Sequence, residues 1–326
     1  MKLQILIPQY QETDEIIKPL LDSIEIQQNV DLKRDVGAVI VNDGTDVRLS
    51  DELLNSYTYP IEYHLAEHGG VSATRNKCLD HATADYVMFC DADDMFYNAC
   101  GLYIVFREIG MGGFDSLVSA FIEESRDPMT GEPVYINHDM DTTFVHGKVH
   151  RRQYLLDKGI RWNDALTIHE DSYFNCLCQR LAGELKYSQT SFYLWRWRDD
   201  SVCRHDQKYM LKTYNNMLDS NTALVNEFVR RGRTQDAQYY ATSMIYDAYF
   251  TMNKREWIDQ ENKQYRRATE KRFKEYYVTF KSLFDSIPEE AKNKIIVGIK
   301  NRMFGEGLMM ESITFDDWIK SIIEYR

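Results

Sequence analysis

The sequence predicts an α/β fold with a mostly parallel, Rossmann-like sheet flanked by helices, followed by an α-helical C-terminal region. Short apolar runs alternate with helical patterns over the first 120 residues, which is the order that βαβ units produce. From about Asp206 onward, long segments of helical periodicity take over. A chain of 326 residues suits a main domain and an appended one. We therefore predict two domains, residues 1–205 and 206–326.

Five apolar runs predict the strands of the sheet. A run that is apolar throughout suits a strand buried on both faces, as in a parallel sheet. The predicted strands are residues 3–8, 36–41, 61–65, 86–90 and 116–121. Because the first run is short, ends at Pro8 and is followed at once by charged residues, we interpret it as a strand and not as a signal peptide.

Helices are predicted between these strands and throughout the C-terminal region. Apolar residues recur at helical spacing over residues 16–24, where Asp14 is placed to cap the helix. Gly69 and Gly70 open a helix that continues to about His81. Residues 122–141 predict a loop or hairpin. The predicted C-terminal helices are residues 207–231, 234–252, 262–282, 288–303 and 314–325.

Polar side chains follow the ends of the first four predicted strands. In open parallel sheets, ligands bind beyond the carboxyl ends of the strands. The residues concerned are Tyr10, Glu12, Asp43, His68, Gly69, Gly70, Asp91, Asp93 and Asp94. We therefore expect all of them to face one crevice.

The Asp-Ala-Asp-Asp segment at residues 91–94 follows a strand predicted to be buried. Buried carboxylates are costly unless they are paired or bound to metal. Two of them one residue apart can hold a Mg²⁺ or Mn²⁺ ion on a diphosphate, since these cations prefer oxygen ligands. Taken alone, a segment of this kind is more often a solvated turn at the end of a strand, and the metal site is favoured only when the other motifs are counted.

Several short segments, in a fixed order, carry a resemblance to a known family. They are Pro-x-Tyr at 8–10, VNDGTD at 41–46, GGVSATRN at 69–76, FCDADD at 89–94, HGKVHRR at 146–152, GIRW at 159–162 and HED at 169–171. Together they resemble the family 2 glycosyltransferases of the GT-A fold, over about residues 1–205. His68 and Asn42 depart from the family pattern, which weakens the case for uridine over other bases.

The resemblance implies a site for a nucleotide-sugar donor. Pro8, Tyr10 and Glu12 would line the nucleoside pocket, Asp43 would bind the uracil edge, and Arg75 would reach the base or the phosphates. From the local sequence alone, the alternatives are a surface aromatic for Tyr10, a turn former for Asp43 and part of a solvated helix face for Arg75.

The family pattern also implies a metal site and a ribose contact. Asp91 would hold the ribose or a water on the metal, beside Ala92 in the donor site. Asp93 would ligate Mn²⁺ or Mg²⁺ directly. His205 is a candidate further ligand, and a surface histidine is an equal reading of it.

By the same resemblance, Asp171 would be the general base that deprotonates the acceptor hydroxyl, and Glu170 would hold that hydroxyl. Attack opposite the leaving diphosphate inverts the anomeric centre. The alternative is that Thr167 or Asp171 only caps a helix.

Arg196, Arg198 and Ser201 resemble the flexible lid that closes over the donor phosphates. No role for the Trp195 and Trp197 pair beyond a strand face is implied.

These features predict an inverting, metal-assisted glycosyltransferase that uses a UDP-sugar. Its acceptor would be a glycan, a cell-wall or capsule polymer, or a lipid-linked sugar. The alternatives are glycosylation of a modified base in viral DNA and an inactive nucleotide-sugar-binding scaffold. A nucleotidyltransferase is disfavoured because residues 8–13 contain neither Gly nor a basic residue.

Charge and cysteine content restrict partners and location. Residues 1–206 carry 19 Lys+Arg against 34 Asp+Glu, a net charge of −15, which disfavours nucleic acid over the catalytic face. The rest carries 20 against 17, a net charge of +3. None of the six cysteines forms a metal-ligand pair, which suggests reduced thiols in a cytoplasmic protein.

No apolar run approaches the roughly 20 residues of a bilayer span, so we expect no transmembrane segment, and peripheral attachment at the inner membrane face is left open.

A basic stripe is expected along one C-terminal helix, at Lys263, Arg267, Lys271 and Lys274. A solvated face is the preferred interpretation of this stripe, ahead of contact with an anionic-polymer acceptor. Homo-oligomer formation through the C-terminal helices is also open.

Overall fold

The computed structural model describes residues 1–199, 208–304 and 313–324, except for the side chains of Arg255 and Phe304. The chain divides into two compact units, residues 1–201 and 202–326. The first unit is built on a nine-stranded sheet. Its strands are β1 (Leu3–Gln9), β2 (Val36–Asp43), β3 (Ile61–Ala66), β4 (Tyr86–Phe89), β5 (Met95–Phe96), β6 (Ser116–Arg126), β7 (Pro133–His138), β8 (Lys148–Arg151) and β9 (Leu185–Trp195).

The sheet has the strand order β3-β2-β1-β4-β8-β6-β9-β5, with β7 paired to β6. Strands β1 to β4 run parallel to one another, which confirms the parallel sheet predicted from the first four apolar runs. Strand β8 is antiparallel to both β4 and β6. The sheet as a whole is therefore mixed, and its parallel part is formed mainly by the strands whose ends carry the predicted site.

Helices cover this sheet. The helices of the first unit are α1 (Asp14–Glu25), α2 (Leu32–Asp35), α3 (Asp51–Leu54), α4 (Gly70–His81), α5 (Gly101–Gly110), α6 (Arg152–Asp157) and α7 (Glu170–Arg180). Ile5 and Ile40 in the central strands and Leu20 of α1 are fully buried in one hydrophobic core. Because the strands are covered on both faces, they are apolar nearly throughout rather than alternating.

The start of α1 differs from the prediction that Asp14 is its cap. Thr13 precedes the helix in an extended conformation, and Asp14 is the first helical residue. The Asp14 carboxylate instead accepts hydrogen bonds from the backbone N–H and the hydroxyl of Ser50, at 3.0 and 2.5 Å. It thereby connects α1 to the residue that caps α3, and its charge still lies in the first turn, where the helix dipole favours it.

Residues 122–141 contain a hairpin, in agreement with one of the two predicted possibilities. Strand β6 continues past the predicted end at Phe121 to Arg126, pairing antiparallel with β7. The Asp127 carboxylate accepts from the backbone N–H groups of Met129 and Thr130, both at 2.9 Å. These bonds fix the turn that leads into β7. Strand β7 itself is largely exposed.

The second unit is helical. Its helices are α8 (Tyr209–Arg230), α9 (Thr234–Met252), α10 (Arg255–Ile258), α11 (Lys263–Ser286), α12 (Glu289–Phe304) and α13 (Phe315–Glu324), with a 3₁₀ turn at Gln260–Asn262. The Tyr214 hydroxyl donates to Asp247 at 2.7 Å and so connects α8 with α9. No helix in the described part of the chain combines the length and apolarity that crossing a bilayer requires.

The predicted basic stripe is present on α11 in part. Lys263, Arg267 and Lys271 are exposed at four-residue spacing. Lys274 instead donates to the carbonyl of Ile323 at 2.7 Å. The stripe of exposed cations is therefore shorter than the sequence suggests.

Candidate active site

Arg75 of α4 connects two predicted site segments that lie far apart in sequence. Its guanidinium donates to Asp91 at 2.7 Å, beyond β4. It also donates to Glu170 at 3.0 Å and to Asp171 at 2.9 Å, at the start of α7. The guanidinium carbon lies 4.4 Å from the ring centroid of Trp162. The predicted ribose-side carboxylate and the predicted general base therefore belong to one cluster.

Arg75 is only 3% exposed, so it is not part of a solvated helix face. Although burial would lower the pKa of Arg75, its carboxylate partners outweigh that effect and raise it. In the same way, burial would raise the pKa of Asp91, but the guanidinium holds that pKa below its ordinary value. A buried cation of this kind is stable only while its acidic partners remain.

Asp171 is held at both carboxylate oxygens. Oδ1 accepts from Arg75, and Oδ2 accepts the backbone N–H of Val145 at 3.0 Å. The residue that caps α7 is His169, with φ of 61° and no side-chain cap bond, so neither Thr167 nor Asp171 acts as a helix cap. Burial raises the pKa of Asp171 to about 7, against the opposing effect of Arg75. A carboxyl with that pKa is suited to proton transfer near neutral pH.

Asp43 caps the N-terminus of α4. Its carboxylate oxygens accept from the backbone N–H of Gly69 at 2.8 Å and of Gly70 at 3.0 Å, where an anion is favoured. The ring of His68 reaches the same carboxylate through Nδ1 at 3.0 Å. Gly44 allows this approach: it has φ of +70°, and a Cβ there would lie 2.4 Å from the backbone nitrogen of His68.

Two stacked rings stand beside Asp43. The Tyr10 ring is 45% exposed and stacks on the ring of His68 with centroids 5.2 Å apart. The backbone N–H of Tyr10 donates to the Glu12 carboxylate at 2.8 Å. Pro8 lies in β1, opposite Val41 of β2. The residues predicted for the nucleoside pocket therefore lie at the carboxyl ends of β1 and β2, with an aromatic face open to solvent.

The carboxylates after β4 have two kinds of environment. Asp94 is 1% exposed and accepts from the Tyr193 hydroxyl at 2.5 Å and from the backbone N–H of Arg196 at 2.9 Å. Asp93 is half-buried and accepts from the Arg198 guanidinium at 3.1 Å. Ala92 is buried between the Asp residues that flank it in sequence.

Both arginines predicted for the phosphate lid therefore contact this segment, since the Arg196 guanidinium also donates to the Asp93 carbonyl at 3.2 Å. Ser201 and His205, the other residues predicted for the lid and the metal, lie outside the described residues.

Asp91, Asp94 and His146 lie close enough together to hold a cation. Each offers one ligand atom, and these atoms lie within 4.8 Å of one another. Burial raises the pKa of Asp94 well above its ordinary value, and the neighbouring Asp93 adds to the rise, so a positive charge would be favourable here. Two carboxylates and an imidazole fit a divalent cation such as Mn²⁺. Asp93, the predicted ligand, lies outside this group and pairs with Arg198.

Sequence reasoning did not assign a role to some residues of this cluster. Asp94 was placed in the crevice by its position after β4, but its partner Tyr193 was not anticipated. His146 gave a signal only as part of the HGKVHRR segment. Its ring is enclosed by those of Phe121, Tyr193 and Trp195, with centroids about 5 Å away in each case. Such a ring enclosure forms only in the folded chain.

The sheet and the position of its polar cluster place this unit in the class of GT-A folds. The match to known families agrees: residues 4–163 match the model of glycosyl transferase family 2. This part of the chain belongs to the family 2 glycosyltransferases.

Two curated relatives are glycosyltransferases by name. Over 252 residues the chain is 27% identical to "Glycosyltransferase GlyA" of Streptococcus pneumoniae serotype 4, an alignment that covers 69% of this chain and 35% of that protein. Over 221 residues it is 24% identical to "Uncharacterized glycosyltransferase EpsJ" of Bacillus subtilis, with 61% and 62% covered. The chain thus spans about a third and about three fifths of these two relatives.

Solved structures of S. aureus TarS share the fold. TarS in complex with UDP-GlcNAc has a TM-score of 0.61 at 16% identity, covering 94% of this chain and 92% of that one. TarS in complex with UDP has a TM-score of 0.60 at 14% identity, covering 97% and 95%. These matches confirm the GT-A fold predicted from the sequence.

Proposed function

We propose that this chain is an inverting glycosyltransferase that moves a sugar from a UDP-sugar to an acceptor hydroxyl. The observation that carries the proposal is the Arg75 contact, which connects Asp91 with Asp171. A direct displacement needs the donor and the base in one site, oriented toward the same carbon. The cluster around Arg75 supports the proposal because it brings the proposed ribose-side carboxylate Asp91 and the proposed base Asp171 together.

In this proposal Asp171 is the general base. As the acceptor oxygen bonds to the anomeric carbon, its proton passes to the Asp171 carboxylate. The bond between that carbon and the diphosphate breaks on the opposite face, and the diphosphate keeps the electron pair. The configuration inverts because attack and departure are on opposite faces. Arg75 and the Val145 N–H orient the base, and Glu170 holds the acceptor hydroxyl.

The donor is proposed to lie along the carboxyl ends of β1, β2 and β4. In this proposal the flat base would pack on the stacked rings of Tyr10 and His68, and Asp91 would contact the ribose. Arg196 and Arg198 are close enough to the Asp93 segment to meet the diphosphate. We choose a UDP-sugar as donor, with UDP-GlcNAc first among those to test, because TarS, which shares the fold, has been solved in complex with both UDP and UDP-GlcNAc.

A divalent cation, Mn²⁺ or Mg²⁺, completes the proposed donor site. When bound, it neutralises charge on the leaving diphosphate. Asp91, Asp94 and His146 would hold it, and Asp93 remains the ligand predicted from the sequence. A comparison of Asp93→Ala with Asp94→Asn distinguishes these two assignments.

The second unit is assigned to acceptor contact or to self-association. Its exposed cations at Lys263, Arg267 and Lys271 suit an anionic saccharide polymer better than a neutral glycan. A saccharide of the cell wall or capsule, handled in the cytoplasm or at the inner membrane face, is the acceptor class that we propose.

The test is release of nucleoside diphosphate from a panel of nucleotide-sugars with Mn²⁺, with Mg²⁺ and with chelator. We expect metal-dependent release from a UDP-sugar by the native chain, and loss of that release in Asp171→Asn. Asp157→Asn, an exposed carboxylate at the end of α6, is the matched control and should leave release unchanged. The proposal is wrong if no nucleotide-sugar is turned over and none stabilises the protein against heat in the presence of metal.

A further inference from the structure

Three side chains of α7 hold one backbone segment, residues 142–145, along a single face of the helix. Gln179 donates to the carbonyl of Thr142 at 3.2 Å. Asn175 donates to the carbonyls of Thr143 at 2.7 Å and Phe144 at 2.9 Å. Asp171 accepts the N–H of Val145 at 3.0 Å. Positions 171, 175 and 179 are four residues apart, so they stand above one another on the helix.

Asn175 is the central contact of this face, and it is completely buried. Its amide nitrogen serves both carbonyls, while its Oδ1 has no hydrogen-bond partner within the described structure. Leaving a buried amide oxygen unpaired costs free energy. The side chain of Asn175 therefore contributes through the donor side of its amide, which holds residues 143 and 144.

A second buried side chain holds the same segment from the other side. The Lys148 ammonium donates to the carbonyls of Phe144 and, at 3.4 Å, of His146. Lys148 is 1% exposed. The carbonyl of Phe144 thus receives donors from both α7 and β8, which fixes the peptide plane that carries the Val145 N–H.

We propose that Asn175 is a positioning residue for the general base: it fixes the segment at residues 143–145 so that the Val145 N–H holds Asp171 toward the acceptor. This inference rests on the proposed function of Asp171. The charged groups that face Asp171 are Arg75, Glu170 and Asp91, together with the Lys148 ammonium. The Val145 N–H is the neutral contact that orients the second carboxylate oxygen.

The experiment compares Asn175→Ala with the native chain in two measurements. The first is hydrogen exchange of the Val145 amide, which needs no substrate. We expect its protection to fall by about tenfold or more, since the segment loses its central anchor. The second is turnover of the UDP-sugar that the panel of nucleotide-sugars identifies as the donor. We expect kcat to fall by about ten- to a hundredfold, because small misplacement of a reacting group is costly, while KM for the donor changes little.

The pH dependence of kcat is a measurement that general damage to the structure would not change. The Val145 N–H lowers the pKa of Asp171, so loosening it should shift the acid limb of the kcat profile to higher pH. Asn262→Ala is the matched control: Asn262 is also buried, donates to a backbone carbonyl at 2.8 Å and has an unpaired Oδ1, but it lies in the second unit. It should lose stability without loss of kcat.

The inference is overturned if Val145 exchange is unchanged in Asn175→Ala, if kcat is unchanged although exchange increases, or if Asn262→Ala lowers kcat equally. If Asn175→Ala does not fold, Asn175→Ser, which is small and keeps one donor, replaces it in both measurements. A native chain that turns over no donor refutes the proposed function, whereas the exchange measurement still decides whether Asn175 holds the Val145 N–H.

Discussion

Replacing Arg75 by methionine should destabilise the first unit strongly. The side chain is 3% exposed and contacts Asp91, Glu170 and Asp171 at 2.7, 3.0 and 2.9 Å. Methionine keeps a similar volume and can still pack on Trp162, so the main loss is the positive charge. Removing one partner of a buried ion pair costs about 3–5 kcal/mol, because the remaining charge is left without compensation. We expect a loss of this size for Arg75→Met at about pH 8.

The loss should depend on pH, with a definite sign. Without the guanidinium, the pKa of Asp171 rises further above the value that it has in the unfolded chain, and the pKa of Asp91, which Arg75 holds below its ordinary value, is raised by burial instead. Between the two values the folded state holds more protons than the unfolded state, so its stability decreases as pH rises. The deficit of Arg75→Met relative to the native chain should therefore be smaller at about pH 5.5 than at about pH 8.

Chemical denaturation followed by tryptophan fluorescence measures this loss, with midpoints converted to free energies at a common slope. Arg161→Met is the matched control. Arg161 pairs with Asp80 at 2.6 Å, but both side chains are exposed, at 38% and 58%, so its loss should cost about 0–1 kcal/mol. A cost for Arg75→Met no greater than that of Arg161→Met, or one that does not change with pH, would refute the reasoning.

Three further predictions follow from the site. Asp171 must be deprotonated to act as a base, and burial raises its pKa to about 7, so kcat of the native chain should increase with pH through about 7. Asp171→Asn should remove the activity, while donor binding, measured by calorimetry, remains. Asp43→Asn should cost about 1–2 kcal/mol in denaturation midpoints, since it removes the anion at the N-terminus of α4. Asp94→Asn should abolish the increase in melting temperature that Mn²⁺ gives in the presence of UDP, because ligand-linked stabilisation needs the cation site. If Asp93→Ala abolishes that increase instead, the ligand assignment made from the sequence is the correct one.

The sequence was sufficient to predict which polar side chains lie at one edge of the sheet, because one rule connects strand ends with ligand binding. The apolar runs of β1, β2 and β4 predicted where the strands end, and the polar residues beyond them had to meet at one edge of the sheet. Asp43 and Asp91 lie where that rule places them. The strand-end rule depends only on periodicity and topology, both of which are visible in the chain.

The partners of these residues were not predictable in the same way. Arg75 contacts Asp171 across 96 positions, and Tyr193 contacts Asp94 across 99. Neither pair has a local pattern, since each depends on how helices and strands pack. Strand β8 was missed for a related reason: Lys148 and His150 are buried polar residues, so the strand lacks the apolar run that marks β1 and β2.

The balance of charge in the site bears on the proposed cation. Arg75 donates to Asp91, Glu170 and Asp171, and Arg198 donates to Asp93. Asp94 accepts from two neutral donors, the Tyr193 hydroxyl and a backbone N–H, and His146 Nδ1 lies 3.8 Å from its carboxylate. An anionic diphosphate entering this site would add to an existing excess of negative charge, and its approach would be unfavourable without a compensating cation. The acid-rich end of β4 would therefore favour binding of the proposed donor together with a metal ion, whereas the Arg75 cluster, already neutralised in part, would hold the proposed base in position.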